Sequence, residues 1–175
     1  IQNLYVLSSH VQILCFTTKG KVYWLKVYEI PVASRTSKGR PLVNMLNLDD
    51  DERVSDILPV EEFSDKKFIF METRKGITKK TNLSLFERKW KSGIKAINLD
   101  EDDKLIGTAI TDGTNEILLA SSAGKLIRFK ESKVRAMGRT ARGVKGLKLK
   151  KDQRLISLNV ADPSKTVLYV SENGY

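Results

Sequence analysis

Four glycines set the frame of this chain: Gly20, Gly76, Gly124 and Gly174 recur at spacings of 56, 48 and 50 residues. Each follows one run of β-type residues and precedes another. The copies are ILCFTTKGKVYWLKV from Ile13, IFMETRKGITKKTNL from Ile69, ILLASSAGKLIRFKE from Ile117 and VLYVSENGY from Val167. Glycine suits a hairpin at that point because it enters positive φ without steric cost. A second glycine recurs in phase, with Gly39, Gly93 and Gly143 lying 19, 17 and 19 residues after the first three turns. Each copy then runs a short strand (LVNMLNL, AINL or LKLK) into a charged turn (Asp49 to Arg53, Asp100 to Lys104, Lys150 to Arg154). A last apolar run follows, VSDILPV, LIGTAIT or LISLNV.

Four strands per period of about fifty residues predict an all-β, propeller-like stack, because one small sheet cannot bury both faces without a neighbour. The expected organisation is the end of a blade at 1–12, blades at 13–68, 69–116 and 117–166, and the start of another at 167–175. The helix-like candidate, Leu83 to Lys91, is short. The chain opens on Ile and stops inside a repeat, so it reads as an excised part of a larger disc.

Strand alternation sorts the faces of each second hairpin strand. Positions three and five after the turn glycine (Tyr23/Leu25, Lys79/Thr81, Ile127/Phe129) are mostly core-like. Positions four and six (Trp24/Lys26, Lys80/Asn82, Arg128/Lys130) form a polar, cationic stripe. That stripe is either a solvated face or a binding face, and its neighbourhood favours binding in the third copy.

The charge is concentrated there too. Between Lys125 and Arg154 stand twelve Lys or Arg against Glu131 and Asp152, which equals the whole net charge of +10. A polyanion is the natural partner of such a field. Its centre is the loop GRTARGVKG (Gly138 to Gly146), echoed by ASRTSKGRP (Ala33 to Pro41) and ERKWKSGIK (Glu87 to Lys95). Glycine and small residues let backbone approach a phosphate while Arg and Lys neutralise it. The loops hold few Asn or Gln, so readout of base edges is poor and sequence preference weak. Trp90, between Lys89 and Lys91, reads either as a stacking platform for single strands or as an anchor tying the loop to its blade, and Trp24 has the same two readings.

Other chemistry is hard to find. The single cysteine, Cys15, excludes an internal disulfide and fits a reducing compartment, with cytoplasm the default. No apolar run reaches eighteen residues, and Ile1 to His10 lacks signal-peptide features. His10, the lone histidine, has no triad or zinc partners. The acidic runs Asp49 to Glu52 and Asp100 to Asp103 lack calcium-loop spacing and read as solvated turns. Neither G-x-x-x-x-G-K-[ST] nor G-x-G-x-x-G occurs, so neither catalysis nor a cofactor or metal site is expected in this stretch.

Three phrases carry a resemblance: VRAMGRTARGVKGLKL (Val134 to Leu149), LKVYEIP leading to SRTSKGRPLVN (Leu25 to Asn44), and the turn from Ser121 to Ser132. They are similar to the C-terminal domain family of bacterial DNA gyrase A subunits, and the likeness spans essentially the whole chain. It implies a β-pinwheel, six-bladed when complete, whose blades borrow strands from neighbours and whose basic rim bends duplex DNA. In that family wrapping lets an ATP- and magnesium-dependent type II topoisomerase of two A and two B subunits introduce negative supercoils, in the bacterial cytoplasm at the nucleoid. ATP and magnesium act elsewhere in that holoenzyme. The cleavage tyrosine lies in another domain, and none of Tyr5, Tyr23, Tyr28, Tyr169 or Tyr175 resembles it in context.

Carried over to matching positions, the expected DNA contacts are Lys26, Arg35, Lys38 and Arg40; then Lys79, Lys80, Arg88, Lys89, Lys91 and Lys95; then Arg128, Lys130, Arg135, Arg139, Arg142 and Lys145. The family's basic box, QRRGGKG, is absent, and its place is in the blade before this stretch, in the loop equivalent to Ser34 to Gly39. The alternatives are the related domain of topoisomerase IV and a propeller scaffold for acidic proteins. Open blade edges also make self-association an expectation.

Overall fold

A computed structural model describes residues 4–171 and Gly174. Eleven strands form three antiparallel sheets, one per repeat: β1 (Gln12–Thr17), β2 (Lys21–Lys26), β3 (Val54–Val60), β4 (Phe68–Thr73), β5 (Ile77–Asn82), β6 (Ile94–Lys95), β7 (Leu105–Thr111), β8 (Glu116–Ser121), β9 (Leu126–Lys130), β10 (Val144–Lys145) and β11 (Leu155–Val160). The sheets are ordered β3-β1-β2-β6, β7-β4-β5-β10 and β11-β8-β9. The first two thus have four strands, but the fourth comes from the following repeat: β6 pairs Lys95 with Lys21, and β10 pairs Val144 with Thr78. Strand borrowing, implied by the resemblance, is observed.

Two expectations are corrected. The short strands predicted at LVNMLNL, AINL and LKLK are not strands; the pairing falls just ahead of the last two, at 94–95 and 144–145, and Leu42–Met45 is a 3-10 turn. The helix candidate at 83–91 reduces to one 3-10 turn, Leu83–Phe86. Of the fourth copy, Val167 to Val170 forms no strand, having no described strand to pair with, and Glu172, Asn173 and Tyr175 lie outside the described residues, as do 1–3.

The three hairpin turns repeat one hydrogen bond, from the glycine amide to the carbonyl three residues before, Gly20 to Thr17, Gly76 to Thr73 and Gly124 to Ser121, and Gly174 makes the same bond to Ser171, all at 2.9 to 3.1 Å. At Gly76 φ is +85°, and a Cβ would stand 2.6 Å from the Leu147 carbonyl oxygen. Glycine is required there twice over, by backbone and by space. The next repeat closes over the first two turns, with the amides of Ala96 and Gly146 donating to Gly20 O and Gly76 O at 2.8 and 2.9 Å.

Blades stack through apolar faces. Leu14, Phe16 and Val22 of the first meet Ile69, Met71, Phe86 and Leu105 of the second. On the other face of the second blade, Phe70 packs with Ile117, Leu119, Leu147 and Leu155. The middle sheet is therefore covered on both sides, and nearly every residue of β4 and β5 is buried. Cys15 is fully buried in a third cluster on the first blade, where desolvation pushes its thiol up to about 12.

Glu72 stands in this covered sheet with no exposed surface, and neither carboxylate oxygen has a hydrogen-bond partner among the described residues. Burial, then the nearby Asp103 carboxylate, raises its pKa well above the usual range. A raised native pKa contributes stability that is present below the unfolded value and lost as pH rises through the native one. Glu72→Met is expected to stabilise the protein by about 1 to 3 kcal/mol above that value and to abolish this part of the pH dependence, as read by urea melts from pH 5 to 9.

Candidate nucleic-acid interface

Three loops leave the second hairpin strands through single 3-10 turns, Val27–Glu29, Leu83–Phe86 and Glu131–Lys133. The second and third return to pair, as β6 and β10, with the blade before. Each of these two therefore bridges a seam between blades, and the topology lays successive loops side by side. The first and second line a common cavity of about 440 Å³, with Arg40 and Leu46 on one side and Trp90 and Lys91 on the other. The third lies against the exit of the second: the Asn98 amide donates to the Ala141 carbonyl at 3.1 Å, and Arg142 pairs with Asp100.

Cations crowd the outside of this row. Arg35, Lys38, Arg40, Arg88, Lys89, Lys91, Lys95, Arg135, Arg142 and Lys145 are exposed, as are Arg128 and Lys130 on β9, while Lys26 and Arg139 are half-buried. Two are partly neutralised within the protein. Arg142 is held by Asp100, a contact that lowers the aspartate's pKa and raises the guanidinium's. Arg128 is held by Glu116, its Nε donating at 2.8 Å. The Lys89 ammonium is pushed down by desolvation and then by Lys26, the mark of cations close together.

Lys79 and Lys80 are not on this surface, which corrects the expectation for both. β5 is covered on both faces, so alternation yields two buried sides. Lys79, with no exposed surface, donates from Nζ to Ala96 O at 2.6 Å and to Arg139 O. Lys80 donates to Glu131 O at 3.1 Å, lies 3.7 Å from the Glu131 carboxylate, and sits 4.9 Å from the centre of the Phe68 ring. Its own carbonyl accepts from Met137 N at 2.8 Å. Both lysines therefore mount the third loop from inside.

The tryptophans separate. Trp24 Nε1 donates to Phe86 O at 2.8 Å, so it anchors the first blade to the second. Trp90 is 45% exposed, with the Arg88 guanidinium 4.7 Å above its ring. The acidic turns are only partly solvated: Glu52 and Asp103 are buried, and Glu52 accepts from Tyr23 Oη at 2.9 Å. Their shared place in the repeat was the available signal, since Gln153 holds the third such turn by accepting from Lys150 N. Glu131 was missed altogether. It accepts from Thr111 Oγ1, Gly113 N and Asn115 N at 2.8 to 3.0 Å, a role with no pattern in the sequence.

A family model described as the DNA gyrase C-terminal domain, beta-propeller, matches residues 12–61, 67–112 and 115–162, one segment for each sheet. The chain belongs to this family. The DNA gyrase A subunit of Salmonella typhimurium is 48% identical over the full 175 residues, and that of Escherichia coli K12 is 45% identical over the same length. Its counterpart from Aeromonas salmonicida is 54% identical over 137 residues, 78% of this chain and 15% of its own. The chain spans about a fifth of the length of the first two. Among solved structures, the C-terminal domain of DNA topoisomerase IV superposes with a TM-score of 0.80 at 31% identity, covering 88% of this chain and 48% of that one. A gyrase A C-terminal domain superposes at 0.72 with 22% identity, over 88% of this chain and 49% of its own, and supports the β-pinwheel fold.

Proposed function

We propose that this chain binds and bends duplex DNA as part of the wrapping domain of a gyrase A subunit. The carrying observation is the row of side-by-side loops whose outward cations, among the described residues, mostly lack a paired carboxylate. Such cations neutralise phosphates without reading bases. Smooth bending of a site of about 20 to 30 bp by about 40 to 90° costs roughly 1 to 6 kcal/mol, which contacts along the row offset. The chain itself is non-catalytic in this reading. It serves an ATP-dependent type II topoisomerase of two A and two B subunits in the bacterial cytoplasm, whose ATP and magnesium are used in other domains.

The test is duplex affinity across a salt series. With about six phosphates contacted, log K against log salt falls with a slope near −5. Failure to bind duplex at moderate salt refutes the reading. The topoisomerase IV superposition supports a second reading, the equivalent domain of that enzyme. Ligation of a nicked circle with the protein bound separates them: gyrase-type wrapping shifts the linking number, whereas simple bending leaves it unchanged.

A further inference from the structure

We propose that Lys79 is a positioning residue, an internal clamp that sets the spacing of the second and third loops and couples it to proton uptake on DNA binding. The coupling rests on the DNA-binding reading above; the clamp stands on geometry alone. Its Nζ bonds Ala96 O at 2.6 Å and Arg139 O, carbonyls of two segments from successive repeats. Two further links join the same segments in the same order, Asn98 to Ala141 and Asp100 to Arg142. Those two face solvent, which competes for them. Lys79 closes the inner end from the core, where water competes less and each bond to a carbonyl counts for more.

The preceding seam is built differently. Tyr23, three residues after Gly20 as Lys79 is three after Gly76, turns its hydroxyl to Glu52 of its own repeat at 2.9 Å. There the loops stand apart around the cavity of about 440 Å³. At the second seam this position ties the two loops through polar bonds, whereas at the first the Tyr23 ring packs between Leu46 and Gly93 without such bonds to the loop carbonyls.

Burial, then the Arg139 guanidinium, push the Lys79 ammonium down to about 7. Arg139 is the charged group facing it from the third loop. On the second-loop segment, Lys95 turns away to Asn98 Oδ1 at 3.1 Å; on its own strand, Lys80 faces the other side with Glu131. A phosphate drawn to Arg139 offsets the repulsion and favours charged Lys79, so binding takes up a proton just above pH 7. Affinity then rises as pH falls towards 7 and levels off below it.

Two measurements test this on the chain as described, comparing the parent with Lys79→Met. Without DNA, amide exchange is expected to show protection at Asn98 reduced at least about tenfold in Lys79→Met, with the β4 amides unchanged. With a 30-bp duplex as probe, calorimetry at pH 7.5 in buffers of different ionisation enthalpy should show uptake of up to one proton by the parent and none by Lys79→Met, at the same salt slope. Unchanged protection overturns the clamp. Equal uptake overturns the coupling, and a slope about one unit shallower would make Lys79 a phosphate contact instead. A parent that binds no duplex defeats the functional reading, while the exchange result still decides the clamp. Should Lys79→Met not fold, the parent suffices: opening the seam returns Lys79 to its ordinary range, so intrinsic-rate-corrected protection at Asn98 rises from pH 7 to 9. A flat profile overturns the coupling, and protection at Asn98 no greater than that of exposed loop amides overturns the clamp.

Discussion

Changing Arg139, Arg142 and Lys145 together to Ala is expected to weaken duplex binding about fiftyfold to a hundredfold at roughly 0.1 M salt and to make the salt slope about two units shallower. Three cations are removed, yet the expected change is two units because Asp100 already holds Arg142. Asp100→Asn supplies the complement: it frees Arg142 for a phosphate and should steepen the parent slope by up to one unit. The loop itself survives the triple change. Lys79 bonds the backbone carbonyl of Arg139, not its side chain, and the lost Arg142–Asp100 pair is exposed and contributes little. If the triple variant binds like the parent, the third loop is not a contact, and the exposed cations of the first and second loops carry the binding of this chain.

Glu131→Leu is expected to destabilise the protein by about 3 to 5 kcal/mol, because it leaves the Lys80 ammonium buried without its counter-charge. It also leaves Thr111 Oγ1 and the amides of Gly113 and Asn115 without their acceptor. In a chain this size that corresponds to a fall in Tm of roughly 6 to 20 °C. Combining Glu131→Leu with Lys80→Met should cost less than the sum of the two single changes, as a double-mutant cycle on thermal or urea melts would show. Strict additivity would mean the two groups do not interact. The effect should reach the proposed DNA-binding row, since the Lys80 carbonyl also accepts from Met137 N at the entrance to the third loop.

How much was legible can be followed along one strand. In ITKKTN the glycine before it announced a hairpin, and alternation gave Lys79 and Lys80 opposite faces. Both statements hold. Assigning one face to solvent failed because β5 belongs to the middle blade, whose two sides are covered by different neighbours. In the third copy, Arg128 and Lys130 are exposed as expected. Glu72 shows the same limit: an acidic residue in a strand reads as solvent-facing, and only stacking makes it a buried carboxyl.

The repeat, its glycine turns, the all-β class, the family and the concentration of charge near the third loop were determined by the amino-acid sequence alone. These depend on residue type and spacing, which are local properties. Tertiary structure decided that the fourth strand is borrowed, that Lys79 and Lys80 face inward, that Asp100 restrains Arg142, and that Glu131 holds the third loop's approach. Each of these is a contact between different repeats. Burial and pairing across a seam are set by what the next blade places there, and strand periodicity carries no record of it.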